Sequence, residues 1–391
     1  MPVIMDSLTQ RMMPHRYSVA VPQDCLDDLQ ERLRRTRWPV EPQGNPWRYG
    51  ASLNYLRRVV AYWSEHFDWR RSEAALNRFQ NYLVSLDGLA VHCIVEPGSG
   101  PNPRPLVLTH GWPGSIVEFL HVIEPLAHPE RFGGRVEDAF TVVVPSIPGY
   151  GFSQAPLAPI TPRQVGHLWH QLMTQVLGFP RFFAQGGDWG SIISSWMAYD
   201  HPDAVEALHI NLLGFIDQPA PEQQTPEERD WFARNAAWRQ PEDGYRIQQG
   251  TRPQTLAYGL TDSPVGLAAW VLEKFHGWTV PGETRDPPFA LDDLLANVMM
   301  YWIPGPNAAS WYYISILEQG ARRLPPGERV NVPTGVLICP RDTNPPQPTS
   351  LIERSYRLVR RTDAQEGGHF LALEQPTLFV KDVREFFRAF R

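Results

Sequence analysis

The spacing of apolar and polar residues changes several times along the chain, and each change predicts a different kind of element. In residues 23–35 and 53–63 apolar side chains recur every three or four positions, which predicts helices. Around residues 90–95 apolar and polar residues alternate, and residues 106–109 form a short apolar run after a turn rich in proline and glycine. Both patterns predict strands. The chain therefore begins with a mostly helical region and then enters a sheet.

Beyond residue 106 the pattern alternates between strands and helices. The predicted segments are, in order, strand 140–144, helix 162–177, strand 182–184, a helix from 191, strand 207–213, helices 264–275 and 291–301, strand 335–339 and a closing helix 370–390. Strands separated by helices of this length imply a parallel sheet that is covered by helices on both faces. The alternation is lost between residues 219 and 326, which indicates a mostly helical insertion.

These patterns predict an α/β fold with a mostly parallel central sheet. The predicted organisation is an N-terminal helical extension over residues 1–95, a core in two parts over 96–218 and 327–391, and a helical cap over 219–326. A chain of 391 residues is long enough for a large core with such insertions.

Composition excludes several classes of partner and cofactor. With 36 basic and 42 acidic residues the net charge is -6, so no basic face for nucleic acid is expected. Three widely spaced cysteines argue against a disulfide framework and a zinc site, which favours a reducing cytoplasmic compartment. Residues 1–16 lack the apolar core of a signal peptide, and no apolar run reaches the ~18 residues of a membrane span.

The segment QGGDWG at residues 185–190 follows a short predicted strand and precedes a helix. Glycines two positions before and after a polar residue permit the sharp strand-to-helix turn on which α/β-hydrolases carry their nucleophile. Here that residue is Asp188, whose carboxylate is already anionic and can attack an sp³ carbon to form an ester. This chemistry suits strained ethers or alkyl halides. The alternative is an ordinary turn that caps a helix.

Three further segments occur along the sequence in the order that is expected for such a site. HGWPG at 110–114 follows a predicted strand, where this fold supplies a backbone N–H to an oxyanion. GGHF at 367–370 places His369 on a loop near the C-terminus as the candidate base. Asp342 follows the strand 335–339 as the candidate acid, with Asp363 as its competitor. His167 and His170 lie three residues apart on a helix without other ligand-like neighbours, so we interpret them as structural.

With these residues in hand, the sequence resembles the microsomal-type epoxide hydrolase family, and the similarity covers nearly the whole chain. The matching segments include RWP at 37–39, FDWR at 67–70, LDGL at 86–89, HGWPGS at 110–115, PSIPGYGFS at 145–153, GGDWG at 186–190, 262–269, 291–302, VPTG at 332–335 and GGHF at 367–370. The family's membrane-anchored members have an N-terminal hydrophobic helix that this chain lacks. The resemblance therefore implies a soluble, bacterial-style member.

The resemblance also implies a role for individual residues. Asp188 matches the nucleophile, His369 the base and Asp342 the acid, while Tyr245 matches the first of two cap tyrosines that donate hydrogen bonds to the epoxide oxygen. The second tyrosine is Tyr313 or Tyr312, and we favour Tyr313.

The implied reaction has two steps. Asp188 opens the epoxide to an ester, and water activated by His369 then hydrolyses that ester to a vicinal diol, with the backbone N–H groups of Trp112 and Trp189 as the oxyanion hole. Neither a metal nor an organic cofactor is required. Six tryptophans between 219 and 326 hint at an aromatic-lined site for an aryl epoxide, in degradation, detoxification or antibiotic biosynthesis. The resemblance also implies a homodimer.

Two competing functions remain open. A haloalkane dehalogenase uses the same carboxylate nucleophile, with a tryptophan after it that can hold halide, but it has no need of the tyrosine pair. A non-catalytic binding protein on the same scaffold is the second, because a fold does not prove a function.

Overall fold

The centre of the molecule is a nine-stranded sheet within residues 14–279 and 285–391, the part of the chain that this computed structural model describes. Its strands are β1 His15–Arg16, β2 Asn81–Leu86, β3 Leu89–Glu96, β4 Arg104–Thr109, β5 Phe140–Pro145, β6 Phe182–Gly186, β7 Val205–Ile210, β8 Val330–Ile338 and β9 Tyr356–Asp363. They lie in the order β1-β2-β3-β5-β4-β6-β7-β8-β9.

Strands β4 to β9 are parallel, and β1 to β3 join them in antiparallel orientation. Leu106 of β4 is in register with Phe183 of β6 on one side and with Val142 of β5 on the other. All six residues of β5 are buried, as expected for a strand covered on both faces. The carboxyl ends of β4, β6 and β8 share one edge of the sheet, which is where open α/β sheets bind ligands.

The N-terminal extension is not only helical. It contains three helices, α1 Gln23–Arg34, α2 Leu53–Glu65 and α3 Trp69–Asn77, but its last residues form β2 and β3 of the central sheet. The predicted boundary at residue 95 therefore falls within β3. The extension also reaches the cap, because Arg32 forms an ion pair with Asp262 at 2.8 Å.

Helices of the first part of the core cover the sheet between the parallel strands. They are α4 Ile123–Ala127, α5 Pro162–Gln171, which continues into the π-helical turn Leu172–Val176, and α6 Trp189–Asp200. Short 3₁₀ turns occur at Ile116–Phe119, Pro129–Phe132, Val136–Asp138, Pro221–Gln223 and Arg388–Phe390. Helix α5 begins with a reciprocal capping box between Thr161 and Gln164, which satisfies two N–H groups at its start.

The cap is a group of helices inserted between β7 and β8. They are α7 Pro226–Glu242, α8 Gly244–Thr251, α9 Pro253–Asp262, α10 Pro264–Gly277, α11 Leu291–Trp302, α12 Asn307–Ser310 and α13 Tyr312–Gln319. The helices predicted at 264–275 and 291–301 are both present as α10 and α11. The stretch between them includes residues 280–284, which lie outside the described residues.

The C-terminal part contains α14 Thr349–Ser355, α15 Leu371–Glu374 and α16 Pro376–Phe387. The prediction of one closing helix over 370–390 was wrong. Pro376 has no N–H to donate and disfavours helical geometry at the preceding residue, so Gln375 adopts φ -137° and ψ 61° and the helix is interrupted.

No helix in the described ranges 14–279 and 285–391 is both long and apolar enough to cross a membrane. The predicted lack of a signal segment concerns residues 1–16, of which 1–13 lie outside the described part.

Candidate active site

Asp188 occupies the sharp turn between β6 and α6. Its φ of 50° and ψ of -125° lie in a region that residues other than glycine rarely adopt. Such strain persists only where the surrounding structure enforces it, and it is concentrated at functional sites. The turn thus holds the carboxylate at the carboxyl edge of the sheet.

Two glycines allow the backbone to close around this turn. A Cβ atom on Gly190 would lie 1.8 Å from the carbonyl oxygen of Thr109, and one on Gly111 would lie 2.2 Å from Oδ1 of Asp188. Neither contact is physically possible, so any larger residue at these positions would displace the nucleophile or the loop beside it.

The loop after β4 supplies a hydrogen bond to the Asp188 carboxylate. The backbone N–H of Trp112 donates to Oδ1 of Asp188 at 2.7 Å. Trp189 is the first residue of α6, where backbone N–H groups have no acceptor within the helix. An oxygen atom on Asp188 therefore lies beside donors suited to negative charge.

His369 lies between two carboxylates. Its Nδ1 is 2.6 Å from Oδ1 of Asp342, and its Nε2 is 3.4 Å from Oδ2 of Asp188. Asp342 follows β8, as predicted from its place in the sequence. Asp363 instead ends β9, is exposed and pairs with Arg361 at 2.7 Å. The structure thus brings Asp188, His369 and Asp342 together and leaves Asp363 outside the group.

The charges around His369 control its protonation. Burial lowers the pKa of this imidazole, but the Asp342 carboxylate and the contacts with Asp188 outweigh burial and raise the pKa to about 10. His369 is therefore protonated at neutral pH.

Hydrogen bonds on three consecutive backbone N–H groups fix the loop that carries His369. Glu374 accepts from the N–H groups of Gly368 and Phe370, each at 2.9 Å, and the carbonyl oxygen of Trp278 accepts from His369 N–H at 3.1 Å. Burial raises the pKa of Glu374 to about 7. Trp278 follows α10, so the cap holds one of these three bonds.

Two cap tyrosines lie opposite Asp188. The Tyr245 ring stacks on the Trp112 ring with centroids 5.1 Å apart, and the Tyr313 ring meets the Tyr245 ring edge-on at 5.7 Å. Both tyrosines line one cavity with Asp188, and neither hydroxyl has a hydrogen-bond partner among the described residues. The Tyr312 hydroxyl, in contrast, donates to the Pro148 carbonyl oxygen at 3.0 Å.

Burial, and next the charge of Asp188, raise the pKa of the Tyr245 hydroxyl above its ordinary value. The pKa of Tyr313 is raised by burial and by Tyr245 and Asp188. Both phenols therefore keep their protons at neutral pH, so they can donate hydrogen bonds to an oxygen in this cavity.

Two cavities meet at Asp188. We call the first the cap-side cavity; it is lined by Asp188, Trp189, Ile192, Leu212, Trp238, Arg239, Asp243, Tyr245, Arg246, Tyr313, Ile316, Arg322, Thr343 and Asn344. We call the second the core-side chamber; it is lined by Thr109, His110, Gly111, Trp112, Glu118, Phe119, Gly187, Asp188, Asn211, His369, Phe370, Leu371, Ala372 and Phe379. A groove between residues 37–56 and α10 shares no residue with either.

The core-side chamber contains a partly buried acid, Glu118, that the sequence pattern did not single out. Burial raises the pKa of Glu118 to about 8, so this carboxyl is mostly protonated at neutral pH. His110 also lines the chamber, but its Nε2 already accepts from the Ile147 N–H at 3.1 Å. A lone acid within the apolar run at 116–119 was the signal that could have revealed Glu118.

The cap contributes other site residues that the sequence pattern missed. Asn297 of α11 donates to the Pro113 carbonyl oxygen at 2.7 Å, and so it fixes the loop that carries Trp112. Of the six tryptophans expected to line the site, Trp238 lies in the wall of the cap-side cavity and Trp278 contacts His369. Trp231 is instead fully buried and donates to the Pro345 carbonyl oxygen.

The interpretation of His167 and His170 as lacking ligand-like neighbours was wrong. His201, which follows α6, joins them, and the possible ligand atoms of the three side chains lie within 4.8 Å of one another. The rings of His170 and His201 are parallel with centroids 3.7 Å apart. Parallel rings direct their nitrogen lone pairs side by side, so a shared metal would require one ring to rotate.

Comparison with known proteins gives a consistent set of matches. Residues 14–119 match the family model described as epoxide hydrolase N terminus, and residues 104–266 match the model described as alpha/beta hydrolase fold. A protein of Stigmatella aurantiaca named as an epoxide hydrolase is 40% identical over 380 residues, which cover 96% of this chain and 85% of that protein.

Two further relatives extend the similarity to animals. Epoxide hydrolase 1 of Sus scrofa is 35% identical over 400 residues, with 95% of this chain and 87% of that protein covered. The crystal structure of juvenile hormone epoxide hydrolase from the silkworm Bombyx mori superposes with a TM-score of 0.86 at 29% identity, covering 99% and 97% of the two chains.

Proposed function

The chain belongs to the microsomal-type epoxide hydrolase family of α/β-hydrolases, and we propose that it converts an epoxide to a vicinal diol through an ester on Asp188. The observation that carries this proposal is one cavity in which two unpartnered phenols, Tyr245 and Tyr313, accompany the Asp188 carboxylate. A carboxylate that attacks an epoxide carbon needs donors for the oxygen that leaves that carbon, and this pair supplies them.

In the first step an oxygen of Asp188 forms a bond to one ring carbon, and the bond from that carbon to the ring oxygen breaks. Tyr245 and Tyr313 stabilise the developing alkoxide by hydrogen bonds. The alkoxide takes up a proton and His369 gives one up, because the charge of Asp188, which together with that of Asp342 raised the pKa of His369, is lost when the ester forms. This exchange balances and leaves an ester, an alcohol and a neutral imidazole.

In the second step the neutral His369, oriented by Asp342, removes a proton from water, and the hydroxide attacks the carbonyl carbon of the Asp188 ester. The backbone N–H groups of Trp112 and Trp189 stabilise the oxyanion. The intermediate collapses to the Asp188 carboxylate and the diol, whose new hydroxyl takes the proton of the added hydroxide. His369 remains protonated, as at the start.

The core-side chamber is the proposed site of the hydrolytic water. Glu118 and His369 both line it, and Glu118 presents a protonated carboxyl there at neutral pH. A protonated carboxyl can both donate to and accept from a water molecule, so Glu118 can orient that water while His369 takes its proton.

We further propose an aryl epoxide as substrate, because Trp189, Trp238 and the two tyrosines give the cap-side cavity aromatic walls. Turnover of styrene oxide against that of 1,2-epoxyhexane tests this point. A clear preference for the aliphatic epoxide would contradict it.

The test of the mechanism is mass spectrometry of wild type and His369→Gln after mixing with styrene oxide, with assay of the diol. We expect an adduct of one epoxide mass on the peptide that contains Asp188, retained in the variant because hydrolysis is blocked. An adduct on another residue, or diol formation at the wild-type rate in the variant, would contradict the mechanism.

A haloalkane dehalogenase is the second candidate, favoured by one observation. The indole N–H of Trp189 is buried and has no hydrogen-bond partner among the described residues, so it could donate to halide. Release of halide from 1-bromobutane without diol formation from any epoxide would support it. A non-catalytic protein would give neither product.

We propose a cytoplasmic location, since all three cysteines are free thiols. Cell fractionation tests this, and recovery outside the cytoplasm would contradict it.

The homodimer stays a prediction that light scattering can test, with a monomer as the contrary result.

A further inference from the structure

The cap-side cavity contains two arginines without an acidic partner. Arg239 lies on α7 and Arg322 follows α13, and both are in the cavity wall with Asp188 and the tyrosine pair. Neither arginine forms an ion pair with any residue in the described ranges. A guanidinium in a partly desolvated wall is unusual without a carboxylate beside it.

The polar contacts of the two guanidinium groups leave donors unused. Arg322 donates to the carbonyl oxygens of Gly214 and Leu213 at 3.3 and 3.1 Å. Arg239 donates to Oδ1 of Asn344 at 3.3 Å, and its Nε is buried with no partner. All three acceptors are uncharged, and no described carboxylate lies within ion-pair distance of either guanidinium. Asp188 and Asp243 act on the two arginines only from farther away: the charge of Asp188 acts to raise the pKa of Arg322, and both arginines act to lower the pKa of Asp243.

Arg246 lies in the same wall but differs from Arg239 and Arg322, because it is paired with a carboxylate. It forms two hydrogen bonds with Asp243, at 2.9 and 2.6 Å, and this pairing raises its pKa. The pKa of Arg322 is lowered instead, first by burial and then by the nearby charge of Arg239. Two like charges thus face the cavity, an arrangement that an anion would stabilise.

Formation of the ester would increase the excess of positive charge in the wall of the cap-side cavity. The wall contains three arginines against Asp188 and Asp243, and Asp188 becomes neutral when the ester forms. A negative group on the substrate would replace the lost negative charge of Asp188 during the time between formation of the ester and its attack by water.

We propose that the substrate is an epoxide that also carries a carboxylate, and that Arg239 and Arg322 bind this carboxylate while Asp188 opens the ring. The planar guanidinium group of arginine can donate two parallel hydrogen bonds to the two oxygens of a carboxylate. A neutral or cationic group on the substrate could not replace the carboxylate in this role. This inference rests on the proposed function and narrows it to a substrate class.

The test compares 4-(oxiran-2-yl)benzoate with its methyl ester, which differ mainly in charge. We expect kcat/KM of wild type to favour the acid by about tenfold or more, as a charge-assisted hydrogen bond implies. Arg322→Gln and Arg239→Gln should bring the ratio close to one, and Arg322→Lys should retain part of it. Arg323→Gln is the matched control, because Arg323 is exposed and bonds to Gln218, so the ratio should not change.

Several outcomes would overturn the inference. A wild-type ratio near one would do so, as would an equal loss on both substrates in Arg322→Gln, which would assign Arg322 to the electrostatics of ring opening. If the arginine variants do not fold, inhibition of wild-type styrene oxide hydrolysis by benzoate and benzamide replaces them, and equal inhibition is the contrary result. Absence of diol from every epoxide would instead reject the proposed function itself.

Discussion

The two cavities at Asp188 are built from different parts of the chain. Every residue of the core-side chamber comes from the two core segments of the chain, including Glu118 and His369. The cap-side cavity combines such residues with Tyr245, Arg239 and others from the inserted helices. The nucleophile is the point at which the two groups meet.

This difference separates the two halves of the proposed reaction. The core-side chamber has a protonated acid, a base and backbone donors, which suit attack of water on an ester whatever the alkyl group. The cap-side cavity has two phenols and two arginines that form no ion pair among the described residues, and these groups suit recognition and opening of a particular epoxide. A change in one cavity should therefore affect one step and spare the other.

The largest expected effect is on the core side. Asp342→Asn should slow hydrolysis of the ester by about 1000-fold or more, because an amide cannot hold the His369 tautomer that removes a proton from water. Single-turnover quench experiments with styrene oxide should then show the ester accumulating.

Asp363→Asn is the control for this prediction. Its carboxylate pairs with Arg361 at the end of β9 and lies outside the triad, so hydrolysis should continue at the wild-type rate. A loss in Asp363→Asn with none in Asp342→Asn would reverse the assignment.

The next effect is on the cap side. The double variant Tyr245→Phe/Tyr313→Phe should slow formation of the ester by about 100-fold or more, because the alkoxide loses both donors. The rate of hydrolysis of ester already formed should not change. Stopped-flow tryptophan fluorescence, with Trp112 and Trp189 beside the ester, can follow both phases.

Tyr312→Phe is the matched variant, since the Tyr312 hydroxyl donates to the Pro148 carbonyl oxygen. It should lower thermal stability and leave ester formation at the wild-type rate. If Tyr312→Phe slows ester formation and Tyr313→Phe does not, Tyr312 is the second donor.

A smaller effect is expected at Glu118. Glu118→Gln keeps the size of the side chain but changes its hydrogen-bonding groups, so ester hydrolysis should slow by about tenfold while ester formation is unaffected. Equal slowing of both steps would show that Glu118 supports the site as a whole and does not orient water.

The smallest effect concerns stability and pH. The pKa of Glu118 is about 8 in the folded protein, whereas the ordinary pKa of a glutamate side chain is 4.5. Because the folded pKa is the higher one, the neutral side chain contributes stability below pH 4.5, and this contribution is lost as pH rises through 8.

Glu118→Gln cannot ionise, so wild type should lose up to about 3 kcal/mol relative to this variant between about pH 5 and pH 8. Urea unfolding at both pH values measures the difference. Parallel stability curves for the two proteins would contradict a partly buried, titrating Glu118.

Features that depend on neighbouring residues could be predicted from the sequence. The turn at Asp188 was predictable because its glycines, its strand and its helix are adjacent in the chain. The order of Asp188, Asp342 and His369 followed from the strands that precede their loops. The break at Pro376 carried an equally local signal, and the single predicted closing helix ignored it.

Features that depend on distant residues could not be predicted in this way. Tyr312 and Tyr313 are adjacent in sequence, and only the packing of α13 directs one hydroxyl to Pro148 and leaves the other facing the cavity of Asp188. His201 joins His167 and His170 because α5 and α6 pack together.

The sequence by itself predicted the α/β architecture and Asp188 as the candidate nucleophile, because periodicity and short turns are local properties of a chain, and the resemblance of its segments indicated the family. The tertiary structure alone decided which charges are paired: Arg246 bonds to Asp243 three residues away, whereas Arg239 and Arg322 form no ion pair with any residue that the structure describes. The free energy of a buried charge depends on every group within a few ångströms, and those groups come from segments far apart in the sequence.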